Sequence, residues 1–240
     1  MKDTAPPAPA ETGADTPHIV SRGIRMPKHK QITRPRIRQA LRSGGYEGFE
    51  ADAVAKIARD GDTVLELGAG IGFISTLIGA TRPVKAIHSF EANPYLIDYI
   101  RSAHALNGVT TATVHNVLLA PQAGPPRDFY CRRNFLASSL SPETGPEDGI
   151  LSVEKIEVRG VNDAFAEIRP DVLVCDIEGG EVELLPALDY DGLRAAVIEL
   201  HPQWIKAEGI RAVFDAMHRA GLAYYPRWSH RKVVVFRREW

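Results

Sequence analysis

From Thr63 onward, short apolar runs alternate with segments of helical period. Thr63-Val64-Leu65-Glu66-Leu67 runs into a glycine turn, and Phe73 to Gly79 reads as the helix that follows. Val84 to Phe90 predicts a second strand, and Pro94 to Leu106 a helix with proline in its first turn, where a missing N–H is harmless. Ala112 to Leu119 predicts a third strand. Val172-Leu173-Val174-Cys175 is apolar without a break, as expected of a parallel strand covered on both faces. Glu181 to Leu188 predicts a short helix, Ala195 to Leu200 a strand, and Ile210 to Ala220 a helix closed by Gly221. Leu222 to Trp228 and Lys232 to Arg238 are strand-like runs joined only by Ser229-His230-Arg231. So short a link makes an antiparallel hairpin, since a parallel crossover needs about a dozen residues or more. The pattern predicts a doubly wound, mostly parallel α/β sheet that ends in an antiparallel hairpin.

Upstream of this alternation the period is helical from Ile32 to Arg59, broken at Ser43-Gly44-Gly45. Residues 1–20 hold four prolines and little to pack, and read as a disordered tail. Ala120 to Asp171 is too long for a simple crossover. Within it Asp128–Arg133 and Lys155–Arg159 read as strands, Asn162–Ile168 as a helical turn or two, and Ser141–Gly149 as mobile. The expected layout is therefore a tail over 1–20, a basic helical segment or cap over 21–60, and one domain over 61–240 with an insertion at about 120–171.

Composition narrows the class. With 44% apolar and 25% charged residues, the chain has the make-up of a soluble globular protein. No apolar stretch reaches the ~18 residues that span a bilayer, and the first residues lack the apolar core of a secretory signal. Cys131 and Cys175 are too few for a disulfide framework, so a reduced, cytoplasmic setting is the expectation. The net charge of −1 hides an asymmetry: Ser21 to Arg42 carries eight basic residues and no acid, which leaves 21 basic against 30 acidic elsewhere. That segment reads either as a solvated helix face on an acidic body or as a contact for phosphate, nucleic acid or another polyanion.

The chemistry concentrates at Gly68-Ala69-Gly70-Ile71-Gly72, between a strand and a helix, where glycines permit a tight turn and close ligand approach. A dinucleotide fingerprint wants Gly or Ala three places after its second glycine, and Phe73 stands there. Glu66, two places before the first glycine, is placed to accept from an ammonium group, which S-adenosylmethionine carries and NAD does not. Glu91 ends the second strand, nineteen residues beyond Gly72, where an acid can take both ribose hydroxyls. Asn93 suits the N-cap before Pro94. His115-Asn116-Val117 falls where an adenine edge would lie, with Asn116 as donor or acceptor, and Ala92, next to Glu91, joins the expected cofactor-binding residues.

Two sequence blocks, Leu65-Glu66-Leu67-Gly68-Ala69-Gly70-Ile71-Gly72 and Phe90-Glu91-Ala92-Asn93-Pro94, resemble class I S-adenosylmethionine-dependent methyltransferases. Tyr46-Glu47 and Asp176-Ile177-Glu178-Gly179-Gly180-Glu181 resemble the FkbM family in particular, over about Tyr46 to Val235. The resemblance implies a seven-stranded sheet with an antiparallel last strand. It also implies methyl transfer, usually to a hydroxyl of a sugar or a polyketide-like metabolite. The basic segment has no counterpart in that pattern.

In open α/β sheets ligands lie outside the carboxyl ends of the strands. Asp176 and Glu178 end one such strand, Glu199 and His201 the next, so these groups are expected to face the sulfonium and the acceptor. A hydroxyl acceptor loses a proton, which Asp176 or His201 could take. Each has a plainer alternative: service to the cofactor alone for Asp176, a cap on the following helix for Glu178, and a strand-end turn for His201-Pro202. Hard cations favour such carboxylates, but the spacing demands no metal and none is assigned. No Asn/Asp-Pro-Pro-Tyr tetrapeptide follows the fourth strand, which favours oxygen over the amino nitrogen of bases or glutamine. The acceptor is expected to be a small molecule, with a polyanion contact through Arg22–Arg42, a homo-oligomer and a non-catalytic cofactor-binding module as open alternatives.

Overall fold

Alternating residues of the central strands enter two separate cores in the computed structural model, which describes residues 17–143 and 149–239. In order, the elements are β1 (His18–Ser21), β2 (Ile24–Pro27), α1 (Pro35–Arg42), α2 (Gly48–Ile57), β3 (Thr63–Leu67), α3 (Phe73–Thr81), β4 (Ala86–Phe90), α4 (Pro94–Leu106) and β5 (Ala112–His115). They continue with β6 (Leu118–Ala120), β7 (Gly124–Arg132), β8 (Ile150–Gly160), α5 (Val161–Ile168), β9 (Val172–Cys175), α6 (Glu181–Leu184), β10 (Ala195–Glu199), α7 (Pro202–Arg219), β11 (Ala223–Tyr224) and β12 (Val233–Arg237).

The main sheet runs β11-β12-β10-β9-β3-β4-β5. The pairs β3–β4, β4–β5, β3–β9 and β9–β10 are parallel, and β12 runs antiparallel to both β10 and β11. Val64, Val172, Val174, Val197 and Val235 pack on one face with the helices α1 to α4. Leu65, Leu173, Cys175, Ala196, Ile198 and Phe236 pack on the other with α5 to α7. The strands are buried on both faces because helices cover both, which is why their sequence is continuously apolar rather than alternating. Among the described residues no helix is long and apolar enough to cross a membrane.

Three expectations need correction or extension. First, order begins before residue 21, since His18–Ser21 is a strand; residues 1–16 of the expected tail lie outside the described residues. Second, the start of the basic segment is a hairpin and not a helix. Arg22 and Gly23 both take positive φ, 49° and 85°, the geometry of a two-residue turn matching strand twist. Ile19, Ser21, Ile24 and Met26 then face the core at period two. The Arg22 guanidinium holds the turn in place, donating to Gly44 O at 2.9 Å, Gly48 O at 3.1 Å and Asp52 at 2.6 Å. Tyr99 Oη, donating to Pro27 O at 2.8 Å, ties β2 to α4. Third, the last long helix starts at Pro202 rather than Ile210, with a non-helical Lys206 inside it. Residues 118–160 carry a separate three-stranded sheet ordered β6-β8-β7. Residues 144–148, most of the segment expected to be mobile, lie outside the described residues.

Candidate active site

Chain order reverses between β3 and β9: β4 and β5 extend the sheet one way, and the chain then returns to the other side of β3. The crevice at such a reversal is where doubly wound folds take ligands. Here the backbones of the two strands close tightly, Asp176 N donating to Leu67 O at 2.9 Å. Gly68, at φ 80°, lies so near β9 that a Cβ would stand 1.8 Å from Asp176 O. Gly72, at φ 70°, opens α3 against α4, where a Cβ would meet Ile100 at 2.6 Å. Gly70 differs, because its open side is bounded only by Glu47 Oε1, 3.8 Å from a built Cβ. The first and third glycines are thus fixed by packing, and the middle one faces the cleft.

Glu91 closes this loop from β4, its Oε2 accepting from Gly70 N at 2.8 Å and its Oε1 from Asn93 N at 2.7 Å. Each oxygen keeps a second acceptor position. Burial raises Glu91 to about 7 despite the backbone donors. Asn93 is the N-cap of α4, its Oδ1 accepting from Tyr95 N at 3.1 Å. Of the two roles expected for Asn116, the donor is taken up: its Nδ2 donates to Glu91 O at 2.9 Å and Ala92 O at 3.1 Å, so it pins the pocket wall and leaves Oδ1 as the acceptor unengaged by this pair. Ala92 packs against Phe129, Cys131 and Ile156 of the three-stranded sheet, which brings the insertion to this rim. Val117 packs on the core beneath.

The floor of the cleft is strongly acidic. Glu66 is 3% exposed, and its Oε1 accepts from Ser75 N at 3.1 Å while Oε2 is sheltered without a partner. Burial raises it to about 7. Glu47, missed as a site residue, sits at the N-cap of α2 in left-handed backbone, φ 44°. Burial first, then the charges of Asp176, Glu50 and Glu66, push its carboxyl well above the usual range. Sequence offered one signal, the Tyr46-Glu47 pair, but not where it would land.

At the far side of β9, three carboxyl side chains converge on His201. This residue is 1% exposed, with Nδ1 against Glu181 Oε1, and Nε2 3.3 Å from Glu178 Oε2 and 3.5 Å from Asp176 Oδ1. Burial lowers the His201 imidazole, but the Glu181 hydrogen bond and the charges of Glu178, Glu181 and Asp176 outweigh it and raise its pKa. Burial and Glu199 push Asp176 well above the usual range. Glu178, at φ 48°, does not cap the following helix, whose N-cap is Gly180 without a side-chain bond. Glu199 pairs with Lys232 at 2.5 Å and hydrogen-bonds Glu50, which burial and this neighbour raise to about 7. Glu181, Glu50 and Lys232 were not singled out from sequence, because nothing local marks a charge that becomes a partner only on folding.

A family model described as the methyltransferase FkbM domain matches residues 66–224, more than half of the chain. The chain belongs to the FkbM methyltransferase family. The match holds the glycine loop, Glu91 and the His201 cluster, while Glu47 and Lys232 lie outside it. Comparison with curated protein sequences finds no match. Among solved structures, similarity extends to a precorrin-6y C5,15-methyltransferase from Geobacter metallireducens (12% identity, 91% of each chain, TM-score 0.46). A TehB-like SAM-dependent methyltransferase from Corynebacterium glutamicum is similar at 16% identity, over 85% of this chain and 95% of that one, with TM-score 0.46. A methyltransferase from Pyrococcus furiosus matches at 12% identity over 91% of each chain, with TM-score 0.47.

The cofactor of this FkbM enzyme is S-adenosylmethionine, and the cleft fits it. The orphaned Glu66 Oε2 and the carboxyl of Glu47 beside Gly70 could accept from an ammonium, and the surplus of carboxyl groups would suit a ligand that carries a sulfonium. Glu91 lies at the strand end where ribose hydroxyls are held.

Proposed function

We propose that the enzyme methylates a hydroxyl of a small metabolite or sugar. The cofactor supplies an electrophilic methyl group on sulfur. Transfer forms an O–C bond and breaks an S–C bond, the electron pair staying on sulfur, and the hydroxyl proton must go to the protein. The observation that carries this reading is the convergence of Asp176, Glu178 and His201 beside the glycine loop. Asp176 and His201 orient the acceptor oxygen and take its proton, a contribution typically worth ~10²–10⁴ in rate. Holding the oxygen in line accounts for the remainder of the protein's part.

The cleft disfavours a polyanionic acceptor, since it gathers carboxyl groups, Glu178 and Glu199 among them, rather than the cations that hold phosphate. The N-terminal segment acts as a cap, because α2 begins at the residue after Glu47 and thereby brings that carboxyl over Gly70. A screen of methyl transfer across sugar, hydroxylated lipid, phosphorylated and RNA acceptors tests the assignment, with products identified by mass spectrometry. O-methylated small product is expected; turnover confined to RNA or to a carbon or nitrogen centre would overturn it.

A further inference from the structure

We propose that Asp176, Glu199 and His201 bind one divalent metal ion. One ligand atom from each lies within 4.8 Å of the others, although Asp176 and His201 stand on neighbouring strand ends 25 residues apart in sequence. The spacing along the chain demanded no metal; the parallel pairing of β9 with β10 supplies the convergence.

Two further observations point to a cation. Asp176 Oδ1 is sheltered from solvent without a hydrogen-bond partner, and it faces the imidazole. His201 is oriented from behind: Glu181, fully buried, holds Nδ1 and thereby turns Nε2 toward Asp176. A carboxylate that fixes the distal nitrogen of a histidine, leaving the other for a metal, is the usual outer support of a ligating imidazole. The charge balance agrees. Asp176, Glu178, Glu181, Glu199 and Glu50 surround the site, against the ammonium of Lys232, which is half-exposed and rests on Glu199. Two carboxylates and one imidazole suit a divalent ion that accepts mixed oxygen and nitrogen ligands, such as Mn²⁺. An ion here would anchor the acceptor oxygen, with both nitrogens of His201 then engaged and the second carboxylate oxygen of Asp176 left to take the proton, so the proposal deepens the functional reading above and rests on the same site.

The test uses the full chain, stripped with a chelator and titrated with MnCl₂ while free Mn²⁺ is followed by electron paramagnetic resonance. One ion bound per chain is expected, with binding lost in Glu199→Ala and His201→Ala. Glu181→Gln should weaken binding by ~10–100-fold, as outer-support losses do. Lys232→Met, which removes the resident ammonium, should tighten it and keeps the test decisive if the ligand variants fail to fold. Calorimetric titration of the same samples with S-adenosylmethionine separates the two readings. Protein that binds the cofactor but leaves Mn²⁺ free at roughly millimolar concentration overturns the metal site alone. So does Mn²⁺ binding that is indifferent to Glu199→Ala, His201→Ala and Lys232→Met. Protein that binds Mn²⁺ as expected but not the cofactor supports the metal site and counts against the methyltransferase reading.

Discussion

The imidazole of His201 and the carboxylate of Glu181 form a closed pair, with side chains 2% and 0% exposed and Nδ1 against Oε1. Glu181 lies behind His201 and away from the acceptor side, so its effect runs through His201. Glu181→Gln should preserve the fold and keep cofactor affinity within a few-fold, while turnover falls by ~10–100-fold. Glu181→Ala should in addition cost ~1–3 kcal/mol of stability by leaving a buried ring nitrogen unpaired. Equal turnover in wild type and Glu181→Gln would show the pair to be structural only.

The glycine loop makes a graded prediction. Gly61 and Gly68 share nearly the same left-handed backbone, φ 83° and 80°, but a Cβ at Gly61 meets nothing within 4 Å while one at Gly68 falls 1.8 Å from Asp176 O. Gly61→Ala should cost only backbone strain, ~1 kcal/mol. Gly68→Ala adds forced separation of β3 from β9, another ~1–3 kcal/mol, and should abolish cofactor binding. Thermal melts and calorimetry on the two variants check this, and equal melting points would refute the packing argument.

Glu91→Ala removes both backbone-anchored oxygens at the ribose position and should weaken cofactor binding by ~1–3 kcal/mol. Calorimetry that gives unchanged affinity would remove the ribose assignment from this residue.

Acid dependence follows from Glu66 and Glu91, both raised by burial from 4.5 to about 7. Between those values the folded state holds protons that the unfolded chain has released, so ligand-free stability should fall as pH rises through about 4.5–7. A cationic ligand favours the ionised carboxyls, so cofactor affinity should rise over the same window and binding should release protons. Titrations in buffers of different ionisation enthalpy read that release directly; proton uptake would contradict the assignment.

The polyanion alternative also has a test. Arg25, Lys30, Arg36 and Arg42 are exposed, while Arg22 is engaged by Gly44, Gly48 and Asp52. Replacing the four exposed cations by glutamine should leave methylation of a small acceptor unchanged. RNA binding with a steep salt dependence that disappears in this variant would favour a docking arm.

The sheet was legible because its signal is local. Val172 to Cys175 reads as a buried parallel strand from four residues, and the three-residue link at Ser229–Arg231 admits only an antiparallel return. The hairpin at Arg22-Gly23 was not legible, since left-handed turns are expected from Asn-Gly or Asp-Gly and a run of arginines draws attention to charge. Its period-two burial was hidden in four-residue strands. The site divides the same way. Glu66, the glycines and Glu91 announce themselves by position around one turn. Glu47, Glu181 and Lys232 acquire their neighbours from packing between elements 20 or more residues apart, as with Glu181 and His201. Asn116 is intermediate: its place at a strand end was visible, but not that two backbone carbonyls would take its donors and leave its oxygen as the acceptor.

The central claim is that the cleft between β3 and β9 holds S-adenosylmethionine. The most direct measurement is a calorimetric titration of the full chain with S-adenosylmethionine, with NAD as control. Saturable binding of one cofactor molecule per chain is expected, with no heat from NAD beyond dilution. Binding of NAD at the same site, or no binding of S-adenosylmethionine by folded protein, would contradict it.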